Sequence, residues 1–167
     1  MSDFIGIDLG TSNCAIARVG ETGHPENLPI TQAITASSEG EKFLLPSAIY
    51  LPAEGEFLSS RQILGVFARE RGALQPDRLI VSAKSWLCHP HADRRGQILP
   101  WGSATIDSKL SPLEASRDLL AHLLASLKKS HPNLSPTHPV ITVPASFDEV
   151  ARGLTLEAAL LAGIPEA

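Results

Sequence analysis

Short apolar runs broken by glycine, proline and isolated charges fill the first third of the chain, whereas two stretches near its end repeat apolar side chains every three to four positions. The first pattern belongs to strands and the second to amphipathic helices. Residues 5–13, IGIDLGTSN, form an apolar run that ends at one carboxylate, Asp8, and turns through Gly10 into small polar residues. CAIARV at 14–19 returns at once, so the turn is predicted to join two antiparallel strands. LPITQAI at 28–34 supplies a third candidate strand, and 37–42 reads as a polar loop. A short strand at 48–51 follows Pro46, which suits an edge because proline cannot donate to a ladder.

Between 59 and 88 the pattern turns helical. Ser59 or Ser60 caps a segment carrying Ile63, Leu64, Phe67 and Ala68, and Asp77 caps a second with Leu79, Ile80, Ala83, Trp86 and Leu87. The clearest helix follows, where Ser111, Pro112 and Glu114 make a capping box with proline at the first helical position. Leu113, Leu119, Leu120, Leu123, Leu124 and Leu127 share one arc, with Glu114, Asp118, His122 and Lys129 opposite on a wet face. VITV at 140–143 lacks alternation, which predicts a strand covered on both faces in a parallel arrangement. Ser146 and Glu149 suggest a second capping box for a helix through Ala162, ended by Gly163. Its main stripe is Phe147, Val150, Ala151, Leu154, Ala158 and Leu161. Leu156 and Leu160 fall on the other side as a second apolar strip.

Composition narrows the class. Of 167 residues, 43% are hydrophobic and 19% charged, enough apolar surface to close one core and too much for a wholly disordered chain. A net charge of -4 leaves no broad basic footprint for nucleic acid or an anionic membrane, and no apolar run is long enough to span a bilayer. Cys14 and Cys88 are the only cysteines, with no metal spacing, which is the usage of a reduced compartment. The N-terminus lacks the features of a secretory leader, and the chain is expected to be cytoplasmic.

Candidate chemistry concentrates at the first turn. Gly10 permits a turn that aims backbone N–H groups, the hydroxyls of Thr11 and Ser12 and the amide of Asn13 at a phosphate. Asp8 suits a hydrated magnesium ion beside it. An ordinary hairpin whose Asp8 and Thr11 merely satisfy the turn backbone is the competing reading. His89, His91 and Asp93 have metal-ligand chemistry, but Pro90 and their polar surroundings favour a plain exposed loop, and Trp86 and Trp101 read as packing residues.

The order IGIDLGTSNCAIA, LLPSAIYL, FARERGALQP, the capped helix and VITVPASFDEVARGLTLEAALLAGI resembles the start of the ATPase domain of the seventy-kilodalton heat-shock chaperones, the DnaK type. The resemblance implies an α/β fold, an actin-like ATPase or ribonuclease-H-like lobe whose mixed sheet is flanked by helices and carries a small inserted subdomain. It divides one truncated nucleotide-binding domain into first-lobe strands with the phosphate loop at 1–36, an outer subdomain at 37–110, and a helix–strand–helix at 111–167. It implies ATP or ADP with magnesium as cofactors, Asp8 holding the metal through water, and Gly10, Thr11, Ser12 and Asn13 lining the β- and γ-phosphates. Arg69 stands where the family is read to place a catalytic lysine, keeping the charge but not the shape. Pro144 and Arg152 match a proline and arginine that relay nucleotide state; by themselves they read as a strand terminator and a solvated helix residue. The family further implies unfolded polypeptides and co-chaperones as partners of a longer parent, with ATP hydrolysis there and not expected from this length alone. A sugar or acetate kinase lobe sharing the first hairpin, a ribonuclease-H-like nuclease and a non-catalytic structural module are the alternatives.

Overall fold

The computed structural model describes residues 4–20, 23–57, 61–106, 108–134 and 138–165. In chain order the elements are β1 (Phe4–Asp8), β2 (Asn13–Val19), β3 (Pro25–Asn27), β4 (Ile30–Thr35), β5 (Ser38–Lys42), β6 (Leu45–Pro46), β7 (Ala48–Tyr50) and β8 (Ile63–Leu64). They continue with α1 (Val66–Leu74), a single 3-10 turn at Pro76–Arg78, β9 (Leu79–Val81), α2 (Ala83–Leu87), α3 (Pro112–Ser130), β10 (His138–Thr142) and α4 (Glu149–Leu161).

β1 and β2 pair antiparallel, Ile7 opposite Ile16 and Asp8 opposite Ala15, as the apolar run and its return predict. β10 joins the other side of β1 in parallel, with Asp8 opposite Thr142. The sheet order is β10-β1-β2-β3, with β6 also paired to β2. Ile5, Ile7, Leu9, Cys14 and Ile16 face one core with the leucines of α3 and with Leu154, Ala158 and Ala159 of α4. α3 is the element the sequence describes best. Ser111 Oγ accepts from Glu114 N, Glu114 returns a carboxylate oxygen to Ser111 N, and all six leucines of the arc are buried. The box satisfies orphan donors at the helix start, so the helix begins there and nowhere nearby.

Several local readings are corrected. The third strand of the main sheet is β3; β4 pairs with β5 in a separate hairpin. SEGEK, read as a loop, is strand β5, because the ladder to β4 needs only backbone donors and acceptors and its side chains are largely hydrated. β7 is the centre of the sheet β8-β7-β9, not an edge, since Pro46 spends its missing donor in β6. Ile63 and Leu64 are strand rather than helix, and α1 starts only after Gly65; the Ser59 and Ser60 caps lie outside the described residues. Leu79 and Ile80 are strand β9, leaving α2 as a short helix. α4 is capped by Asp148, whose carboxylate accepts from Ala151 N, so the expected box at Ser146 does not form. β10 is parallel as expected but not covered on both faces, Val140 being 56% exposed. His122 is not on a wet face: its Nε2 lies 2.9 Å from Thr31 O and its ring borders a cleft against the β4–β5 hairpin. Trp101 is exposed and lies against Trp86 with ring centroids 5.1 Å apart.

The stripe of α4 is narrower than the helical wheel suggests. Phe147, Ala151, Leu154 and Ala158 are buried, whereas Val150 and Leu161 are exposed with Leu156 and Leu160. Exposed leucines contribute little to this core, so Leu156→Lys combined with Leu160→Lys should shift the thermal midpoint by no more than about 2 °C. A differential scanning measurement showing a drop of about 10 °C would place both side chains in the packed core instead.

Candidate functional site

β1 carries Asp8 to its C-terminal end because Ile5 and Ile7 point into the core and the alternation turns Asp8 outward to solvent. Thr142, its partner across the parallel ladder, donates its hydroxyl to Asp8 Oδ1 at 2.8 Å. Among the described residues the other carboxylate oxygen has no hydrogen-bond partner, and Asp8 as a whole is exposed.

The turn closes tightly on itself. A Cβ at Gly10 would be driven into the backbone carbonyl of Asn13, a contact with no flexible atom to give way, so only glycine fits. Thr11 and Ser12 lie exposed at the tip and Asn13 is half-buried at the start of β2. Ser47, between β6 and β7, holds the turn from the other side. Its Oγ donates to Gly10 O at 2.7 Å and its N–H to Ser12 O at 2.9 Å.

The cation delivered to this corner is Lys84. It sits on the first turn of α2, is 4% exposed, and donates from Nζ to Thr142 O at 3.3 Å, the same residue whose hydroxyl holds Asp8. Its ammonium also lies 5.7 Å from the centre of the Phe147 ring, within cation–π range. Burial pulls the Lys84 amine below the usual lysine range, with the charge of Asp8 opposing the shift. The pair therefore presents a carboxylate and a partly desolvated ammonium around one polar corner.

Arg69, the other candidate cation, stands on α1. It is exposed there, on a helix that packs on β4, β6, β7, β8 and β9, and its side chain makes no hydrogen bond or ion pair among the described residues. The signal for Lys84 lies in LIVSAKSWL, where it is the one charged residue among apolar residues and two serines, and a lysine buried there needs a polar partner. Pro144 follows β10 and its carbonyl accepts from Phe147 N, while Arg152 is exposed on α4 beside the groove between α4 and β10. Cys14 is buried as expected of a small hydrophobe, and desolvation pushes its thiol up. Around His89 the rings serve packing: His89 stacks on Trp86 with centroids 5.4 Å apart, and Asp93 accepts from the N–H groups of Arg95 and Gly96.

Comparison with known proteins identifies the family. A chaperone protein HscA homolog of Burkholderia lata is 35% identical over 171 residues, covering 96% of this chain and 25% of the relative. The homolog of Burkholderia cenocepacia is 34% identical with the same coverage, and that of Bordetella petrii 31% identical over 169 residues. The chain thus spans about a quarter of the length of the curated relatives it matches. The sequence model of the family described as Hsp70 protein matches residues 4–166, and with the parallel strand, the glycine turn and the flanking helices in the expected order, the chain belongs to the Hsp70 family, with its actin-like ATPase fold.

Proposed function

We propose that residues 8–13 and Lys84 hold the polyphosphate of ATP or ADP with magnesium, as the first part of the nucleotide-binding domain of a chaperone. The observation that carries this reading is the meeting of Asp8 and the Gly10 turn with Thr142 and the buried Lys84 at one corner, from three separate stretches of chain. The residues fit the group. Asp8 offers a hard oxygen donor suited to a hydrated magnesium ion, and only a side-chain-free residue closes the turn behind it. Bound magnesium supplies charge neutralisation for the phosphate oxygens.

In this reading the N–H groups and hydroxyls of the turn orient the phosphates, and Lys84 places its ammonium against the transferring group. Arg69 has no part in it. Because Lys84 is desolvated, its charge acts at a lower effective dielectric than one in water, where electrostatic stabilisation gains most. Hydrolysis in the longer protein, with unfolded polypeptides and co-chaperones as partners and Pro144 and Arg152 as the relay, extends the same reading. The free thiols of Cys14 and Cys88 are in keeping with a reducing, cytoplasmic setting.

Isothermal calorimetry tests the core of it. The purified chain should bind ATP more tightly with magnesium than with EDTA, and Asp8→Asn, which keeps the acceptor for Thr142, should remove most of that difference. Equal magnesium enhancement in both proteins, or no binding of millimolar Mg·ATP by the unaltered chain, would overturn the assignment.

A further inference from the structure

The outer subdomain does more than shield the sheet, and Ser47 is where it reaches the phosphate turn. Ser47 is 4% exposed, stands between β6 and β7, and makes four hydrogen bonds. Its Oγ donates to Gly10 O at 2.7 Å, its N–H donates to Ser12 O at 2.9 Å, its O accepts from Ser82 N at 3.3 Å, and its Oγ lies 3.2 Å from Cys14 Sγ. A serine hydroxyl has a single proton, and here Gly10 takes it. Cys14 is then the donor of the fourth contact, a role open to it because burial keeps the thiol protonated.

These bonds set the direction of two peptide planes. In a trans peptide the N–H points opposite to the C=O. With the oxygens of Gly10 and Ser12 both drawn toward Ser47, the N–H groups of Thr11 and Asn13 are turned the other way, away from the outer subdomain. The third bond reaches Ser82, whose left-handed φ of 55° starts the short α2 that carries Lys84 two residues later. One buried residue thus ties the anion-facing turn to the element bearing its cation. Without the hydroxyl, the half-buried Gly10 carbonyl would lose its acceptor bond, and rotation of that peptide would swing the Thr11 N–H out of place.

We propose that Ser47 is a positioning residue for polyphosphate binding: its hydroxyl locks the Gly10–Thr11 peptide so that the turn meets phosphate with N–H groups rather than carbonyls, in fixed relation to Lys84. This rests on the nucleotide reading given above. It goes beyond that reading in assigning function to a residue that touches neither phosphate nor metal.

The test compares Ser47→Ala with Ser116→Ala, a control in which the deleted hydroxyl, buried on α3, has no partner among the described residues. Calorimetry with Mg·ATP should show affinity reduced at least tenfold in Ser47→Ala and unchanged within twofold in Ser116→Ala, with both thermal midpoints within about 5 °C of the unaltered chain. Nuclear magnetic resonance of the nucleotide-free chain supplies a second readout. Ser47→Ala should shift the Gly10 carbonyl carbon and the Thr11 amide selectively. Unaltered affinity in Ser47→Ala, or an affinity loss that only tracks a large fall in thermal midpoint, would overturn the positioning role. If the unaltered chain binds no Mg·ATP, the nucleotide reading fails and the positioning role falls with it; the resonance shifts then show whether the clamp itself exists.

Discussion

Replacing Gly10 with alanine should abolish measurable Mg·ATP binding and lower stability by about 1–3 kcal/mol, the usual cost of forcing atoms into a close-packed site. The added methyl meets the Asn13 carbonyl, which is backbone and belongs to the first residue of β2. Relief requires opening the turn or shifting the start of β2, where Asn13 and Cys14 pair with β6 and Cys14 is wholly buried. Either movement changes the peptide directions on which anion binding depends. For a chain of this length the cost corresponds to a fall of roughly 3–10 °C in thermal midpoint. Calorimetry for binding and scanning calorimetry for stability measure the two effects separately. Alanine at position 10 with unaltered binding would show that the turn is not the phosphate site.

Lys84→Met should weaken Mg·ATP or tripolyphosphate binding by ten- to a hundredfold, whereas Arg69→Met should change it less than twofold. Two unit charges about 4 Å apart interact by roughly 4 kcal/mol at an effective dielectric of 20, and every 1.4 kcal/mol is a factor of ten. Part of that attraction is offset by the cost of holding Lys84 out of water, which methionine avoids, so the lower end of the range is the safer expectation. Methionine also keeps the apolar stem that packs between α2 and Phe147, so the protein should remain folded. Arg69 lies exposed on α1, and its removal takes away only a solvated charge. Comparable losses in the two variants would mean that a general positive field, rather than one placed ammonium, attracts the anion.

The contrast between these two cations shows which parts of the chain are readable in isolation. α3 is fully legible because its capping box and leucine arc lie within one stretch of sequence and need no partner to declare them. The hairpin at Asp8 is legible for the same reason: a buried run, a carboxylate, a glycine and a returning run are neighbours. The short strands β8 and β9 were mistaken for helix because two or three apolar residues fit either period, and only pairing to β7 decides between them. α4 was read with too wide a buried face because a helical wheel shows where apolar residues are but not how far the neighbouring helix reaches.

By itself, then, the order of residues determined the first hairpin, the acid and glycine at its turn, the long capped helix, the parallel strand and the family they compose. Tertiary structure alone decided that Lys84 stands beside Thr142, the residue that holds Asp8, and that Ser47 grips the turn behind them. The reason is distance along the chain. Periodicity and capping act over a few residues, but the site joins positions near 8, 47, 84 and 142, and their meeting depends on strand register and on how the outer sheet packs, neither of which leaves a local trace.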